Sequence, residues 1–236
     1  SITTALAVGF QKVVEYPAYL FFYEPVLNYA VHGNVSLRAG RYEEAVTLAR
    51  ESISLTLEFN PMIRAMGLFP LGIALYALGN YGEAEEQFRK ALTVFREFGR
   101  ADWNSGHFFL GEVAFRKGDY VGAAQLYKDS LATAVEFGNL NMVIQNHRSL
   151  GRLNVAQGRG REARRHLHAA LQTAVQLNWR PFILDCLATI AELFLEEGDQ
   201  EYAALLAMLI KKDPASRAMS IERGRRLLTR LEKELP

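Results

Sequence analysis

Gly79-Asn-Tyr-Gly-Glu-Ala84 returns thirty-nine residues later as Gly118-Asp-Tyr-Val-Gly-Ala123. The same frame opens at Gly40-Arg-Tyr-Glu-Glu-Ala45, Gly158-Arg-Gly-Arg-Glu-Ala163 and Gly198-Asp-Gln-Glu-Tyr-Ala203, so successive starts lie 39, 39, 40 and 40 residues apart. Two further markers keep this register. Seven residues before each glycine stands a small residue (Gly33, Gly72, Gly111, Gly151, Ala191). Phe59-Asn60, Phe98-Gly99, Phe137-Gly138 and Leu177-Asn178 close successive units. Three markers in one register define an internal repeat, and a fixed period of this size signals a stacked array.

Each unit reads as an antiparallel helix pair. Leu68, Leu71, Leu75 and Leu78 show the apolar spacing of a first helix. The glycine that follows supplies the left-handed conformation that stops it. Asn80 or Asp119 then suits the cap of the second helix. Tyr42, Tyr81 and Tyr120 are placed to plug the hairpin joint. Ala45, Ala84, Ala123, Ala163 and Ala203 fall where the second helix crosses the first, and the upstream small residues let the backbones approach. Asn60, Gly99, Gly138 and Asn178 end the second helices, and Pro61 and Pro181 start the next first helices. One pair alone cannot cover its apolar faces, so neighbours must stack.

The expected architecture is all-α: a right-handed α-solenoid forming a single domain over 1–236. Residues 1–24 give a leading helix and an irregular turn. Repeats follow at 25–60, 61–99, 100–138, 139–178 and 179–212, and a capping helix occupies 213–236. The cap is expected to start at Asp213-Pro214, turning Leu227, Leu228 and Leu231 inward and Arg223, Arg225, Arg226, Arg230 and Lys233 outward. Residues 1–15 read as a second helix whose partner is missing, which points to a fragment of a longer array with a helix open to self-association.

Composition narrows the function classes. Of 236 residues, 50% are hydrophobic and 22% charged, an ordinary globular balance. The net charge of +1 argues against a protein living on phosphate backbones. That value averages an acidic 1–138 (12 basic, 15 acidic) and a basic 139–236 (15 basic, 11 acidic). The single Cys186 excludes an intramolecular disulfide framework. No apolar run reaches the roughly 20 residues of a membrane helix, and no basic n-region marks a signal peptide. A cytoplasmic protein without membrane or direct nucleic-acid contacts is expected.

No catalytic, cofactor or metal constellation emerges. Gly158-Arg-Gly160-Arg-Glu-Ala163 matches a dinucleotide-binding pattern in letters, but it follows a helix end rather than a strand. His166 and His168 are two apart and diverge around a helix, while His107 and His147 take equivalent places in successive repeats. Cys186 lies among apolar neighbours and reads as a small buried hydrophobe. An enzyme is therefore not expected, nor is a cofactor.

The pattern of a small residue, seven positions, then Gly-x-Tyr-x-x-Ala, with Phe88 and Ala91 after Ala84, resembles the tetratricopeptide repeat. That repeat has a period of about 34 residues; the longer period here lengthens the second helix. Long repeats of this style resemble the C-terminal sensor arrays of STAND-type ATP-dependent transcriptional regulators of the maltose-activator kind, and those of bacterial peptide-sensing regulators. The tail from Lys211 resembles the closing helix of such regulators.

The resemblance implies a concave face built from the second, fifth, ninth, twelfth and thirteenth positions of each first helix. In this register those positions include Asn34 and Arg38, then Phe69 and Tyr76, then Phe108, Glu112, Phe115 and Arg116, then Gln145, Arg148 and Arg152. Arg148 and Arg152 share one helix face. With Arg116 they suit a carboxylate or phosphate, and Phe69, Tyr76, Phe108 and Phe115 would supply stacking area. The expected ligand is a peptide, a protein segment or a small anionic or aromatic effector. The alternative is that the aromatics pack between helices and the arginines pair with Glu112 and Glu192. Pro70 inside a first helix would free the Met66 carbonyl. The function expected is effector sensing within a larger signalling ATPase and transcriptional regulator, or else a stand-alone scaffold for a peptide or partner helix.

Overall fold

The computed structural model describes residues 32–37, 39–56, 61–98 and 105–234. The leading segment 1–24, Arg38, Asn60 and Gly99 lie outside these residues. All regular structure among the described residues is helical. After a helical stretch at 32–37, the elements are α1 (Tyr42–Leu55), α2 (Pro61–Ala77), α3 (Tyr81–Glu97), α4 (Ser105–Arg116) and α5 (Tyr120–Glu136). They continue as α6 (Leu140–Ala156), α7 (Gly160–Gln176), α8 (Arg180–Glu196), α9 (Gln200–Lys212) and α10 (Ala218–Glu234).

The punctuation read from the sequence is what stops and restarts these helices. Gly40, Gly79, Gly118, Gly138, Gly158 and Gly198 all have positive φ, and Asn178 does so at φ 51°. Each closes a helix the same way. At the end of α4 the Gly118 N–H donates to the Phe115 carbonyl at 3.1 Å and the Asp119 N–H reaches the Ala114 carbonyl at 2.9 Å. The orphan carbonyls of the last turn are thereby satisfied. Asp119, Asn139 and Asp199 each accept a hydrogen bond from the backbone N–H three residues on, which starts the next helix. Pro61 opens α2, and Pro181 sits in the first turn of α8. α2 runs unbroken through Pro70.

Two compact units result, Ser1–Val94 and Phe95–Pro236. Within the first, α2 packs on α1 and pairs with α3 around Gly72, where a β-carbon would lie 2.5 Å from Phe88 Cε1. Phe88 is fully buried. Tyr81 plugs this hairpin with its ring centroid 5.7 Å from that of Tyr76.

The second unit repeats the device. A β-carbon on Gly111 would lie 2.7 Å from Tyr127 Cε1, and one on Gly151 would lie 2.6 Å from Leu167 Cγ. The fifth repeat reaches the same closeness differently. Ala191 replaces the glycine, and the residue in the place of Phe88, Tyr127 and Leu167 shrinks to Ala207, both fully buried. Consecutive helices pack side by side from α4 to α10, and α4–α6, α6–α8 and α8–α10 also touch. The first helices α4, α6 and α8 thus form one layer, which α10 continues. The second helices α5, α7 and α9 form the other. Burying one residue such as Tyr127 or Leu167 in this seam contributes roughly 2 kcal/mol.

The closing helix differs from expectation in two ways. It begins at Ala218, not at Asp213-Pro214. Asp213 instead terminates α9 in extended conformation. Its carboxylate accepts from the Ala215 N–H at 2.9 Å and from Arg180 at 2.6 Å, and this ties down a turn. Leu227 and Leu231 are buried as expected. Arg223, by contrast, points inward rather than to solvent, because an acidic partner on α8 awaits it.

Candidate functional site

The layer α4–α6–α8–α10 carries a row of charge that is buried at Glu112 and Arg152 and half-buried at Glu192 and Arg223. Its ninth positions read Glu112, Arg152 and Glu192 in successive repeats, and Arg223 follows on α10. Acid and base alternate, so each arginine has an acid one helix away. Arg152 Nη2 donates to both Glu112 oxygens, each at 2.8 Å. Ser149 Oγ donates to Glu112 Oε1 at 2.7 Å, and Tyr127 Oη donates to the same oxygen at 2.8 Å. The Arg152 guanidinium lies 4.2 Å above the centre of the Phe115 ring, a cation–π contact. Both ends of the pair are buried, Glu112 at 4% exposure and Arg152 at 9%.

The site's electrostatics follow from this geometry. Burial alone would raise the Glu112 carboxyl. Arg152 and Arg148, with the hydrogen bonds from Arg152 and Ser149, outweigh burial and hold Glu112 well below the usual carboxylate range. Glu192 shows the same balance: burial raises it, while Arg223 and then Arg152 and Arg148 lower it further. Arg223 grips it in bidentate fashion, Nε to Oε1 at 2.9 Å and Nη2 to Oε2 at 2.6 Å, and its Nη2 also donates to Thr189 Oγ1 at 2.9 Å. Two turns before Glu192 on α8, Arg217 Nη1 donates to Asp185 Oδ2 at 2.9 Å and Ser220 donates to Asp185 Oδ1.

Arg148 stands between these clamps without one of its own. It is half-buried on α6, one turn before Arg152. Its charge acts on Glu112, Glu192 and Cys186. Among the described residues no carboxylate forms an ion pair with it, and its Nε is buried with no hydrogen-bond partner. Three arginines (148, 152, 223) therefore face two acids (112, 192), which leaves one positive charge at the middle of the layer. An anion can use that charge.

The remaining residues expected on this face distribute differently. Phe69, Tyr76 and Phe108 are buried at 6%, 6% and 2% exposure. Their rings meet rings across their own helix pairs, Phe69 with Phe88 at 5.8 Å and Phe108 with Tyr127 at 5.9 Å. These three serve packing rather than an open stacking surface, because the close glycine approach draws the first helix onto the partner aromatic. Phe115 is half-buried between Tyr120 (5.5 Å) and Arg152. Arg116 and Asn34 are exposed. Gln145 is half-buried and donates to Asn141 Oδ1 at 2.6 Å. The three-arginine cluster of Arg116, Arg148 and Arg152 does not assemble with all charges open, since Arg152 is spent on Glu112. The side chain of Met66 lies outside the described set.

Two contacts are not visible in the repeat register. The helical pattern points Arg223 outward on the cap, and the seat of α10 on α8 turns it in toward Glu192. His147 and His166 meet with their Nδ1 atoms 3.0 Å apart. Burial, then neighbouring His147, Arg165 and Lys128, push His166 down to about 4. The register shows only that these residues neighbour the Gly151–Leu167 contact, one turn before the glycine and one residue before the leucine. Among the described residues no group of three His, Cys, Asp or Glu is placed to hold a metal ion. Burial pushes the Cys186 thiol up to about 12, so it is an inert core group.

Known proteins place this geometry in a class. A family profile described as tetratricopeptide repeat matches residues 69–135, and a second one matches 29–51. Those two stretches are thus similar to tetratricopeptide repeats. No curated protein matches the sequence. Among solved structures, BtubC (BKLC) from P. vanneervenii superposes with a TM-score of 0.63 at 16% identity, over 96% of this chain and 91% of that one. A thermophilic TPR protein from Thermus thermophilus gives 0.63 at 19% identity, over 86% and 99%. The apo form of RapI gives 0.63 at 16% identity, over 89% and 84%. At these identities the likeness is one of fold: an all-helical array of tetratricopeptide helix pairs. No helix among the described residues is long and apolar enough to cross a membrane.

Proposed function

We propose that this chain is a non-catalytic recognition module whose α4–α6–α8–α10 layer binds the anionic group of a peptide, protein segment or small effector at Arg148. The observation that carries the reading is the guanidinium left without an acid between the Glu112–Arg152 and Glu192–Arg223 pairs. Arginine offers a planar fork suited to carboxylate or phosphate, and its neighbours are already fixed, so little ordering is lost on binding. Gln145, one turn before Arg148, offers an amide beside it.

In the finer form of the proposal the module is the C-terminal effector-sensing array of a larger signalling ATPase and transcriptional regulator, acting in the cytoplasm. The long period and the basic closing segment support that form. The effector would bridge α6 and α8 and favour one curvature of the array. It shifts the regulator only by its differential affinity for the two states.

Titration calorimetry with a panel of carboxylate-bearing peptides and aromatic acids tests the site. Ligands of the unaltered chain should lose affinity at least about tenfold in R148A, since a charge-assisted pair is worth about 1.5–3 kcal/mol. A panel whose binders are indifferent to R148A overturns the proposal. Sequencing upstream of Ser1 tests the finer form: a Gly-x-x-x-x-Gly-Lys phosphate loop supports the regulator, and a short chain supports the stand-alone scaffold.

A further inference from the structure

α9 carries an apolar stripe on the side turned away from the core. Ala203, Ala207 and Ile210 face inward and are fully buried. On the opposite side Tyr202, Leu205, Met208 and Leu209 are 57%, 51%, 41% and 47% exposed. The other repeats provide an internal control. The residues in register with Leu205 are Thr47, Glu86, Gln125 and Arg165, and those in register with Met208 are Arg50, Arg89, Lys128 and His168. All eight are exposed, as their counterparts on α9 are. The fold makes the position a solvated one, and only the fifth repeat fills it with apolar side chains. A contiguous patch of this kind marks an interaction site.

The charges at its ends select the occupant. At about 100° per residue, Glu201, Leu205 and Lys212 fall on one line along the helix, with Tyr202 and Leu209 on one side and Met208 on the other. Glu201 and Lys212 are exposed, and neither forms an ion pair with another described residue. The stripe thus reads acid, four apolar residues, base. Turned end for end, it becomes its own complement: Glu201 meets Lys212 of a second copy at both ends, and the apolar residues meet in the middle. This is the pattern of an isologous two-fold contact.

We propose that two copies of this chain associate through antiparallel pairing of their α9 helices. This rests on nothing at Arg148, which lies in the other layer. A contact made by one helix per copy buries less than the roughly 800 Å² per partner of a standard interface, so the dimer is concentration-dependent.

Sedimentation equilibrium of the full chain from about 10 µM to about 500 µM, the range in which such a small contact populates a dimer, tests this. The expected result is a monomer–dimer equilibrium that Leu205→Glu abolishes while helicity and Tm stay unchanged. Glu201→Lys and Lys212→Glu should each weaken the dimer about tenfold by setting like charges opposite one another. Combined in one chain, they should restore it. A monomer at the highest concentration, a dimer indifferent to Leu205→Glu, or a charge-exchanged double variant that stays monomeric overturns the proposal.

Discussion

Arg152 holds both carboxylate oxygens of Glu112 from a single nitrogen, one repeat away, in a site closed to solvent. Such a pair is costly to break from one side. Glu112→Gln leaves the Arg152 charge buried without its acid and should destabilise the fold by about 3–5 kcal/mol in urea unfolding. Replacing both residues with apolar ones of similar volume should cost far less. Tyr127→Phe removes one of several bonds to Glu112 and should cost about 1 kcal/mol. Equal losses in the Glu112→Gln and double variants would show that packing, not buried charge, dominates at this seam.

Three glycines should respond to alanine in three ways. At Gly111 the new β-carbon meets the Tyr127 ring at 2.7 Å, so Gly111→Ala should destabilise by about 1–3 kcal/mol through overpacking. At Gly118, with φ 82°, there is space but the backbone is strained for any side chain, and the loss should be about 1–2 kcal/mol. Gly82 sits in the first turn of α3 with nothing within 4 Å of the added carbon. Gly82→Ala should stabilise by about 0.5–1 kcal/mol. The ranking of the three Tm values checks the assignment.

The glycine ranking rests on what the sequence made legible. A left-handed turn and a close helix approach are local demands, met by particular residue types at fixed spacing, so Gly79, Gly118, Gly151 and Pro61 announce the helix pairs by themselves. Partner choice is not local. The register placed Arg152 and Glu112 on one layer but left open whether the arginine met a ligand or an acid. Arg223 lay beyond the last repeat, where the period no longer says which residue it faces. The aromatics Phe69 and Phe108 were placed on the right helices. Their burial depends on how far the glycine lets each helix sink, which periodicity does not measure.

Acid should act on the His147–His166 contact before it reaches the carboxylates. His166 is held at about 4 in the fold against an unfolded value near 6.5. Between these values the unfolded chain binds more protons, so stability rises with pH across that window. It is complete above about 6.5 and is lost as pH falls toward 4. Glu112, held low, behaves as a depressed carboxylate: its contribution is present above the unfolded value and is lost only at more acid pH. Tm should therefore decline between pH 6.5 and 5 in the unaltered chain and decline less steeply there in H147N/H166N, where His107, also lowered by burial, still titrates. A decline of equal slope in both would assign it to other groups.

Arg148 and Arg152 share a helix face yet should part company on mutation. Arg152 is neutralised by Glu112, so its removal strands a buried acid. Arg148 has no acid of its own, and its Nε is buried without a partner. Glu112 and Glu192 feel its charge, yet each is paired with another arginine. Arg148→Met keeps the apolar stem and removes a buried donor that has no hydrogen-bond partner. Its unfolding free energy should match or exceed that of the unaltered chain, whereas Arg152→Met should lose about 3 kcal/mol or more. A residue that stability does not need and the inner face nonetheless keeps charged is what a ligand contact requires. If Arg148→Met were as damaging as Arg152→Met, the guanidinium would be a structural member of the row, and the binding role assigned to it would fall.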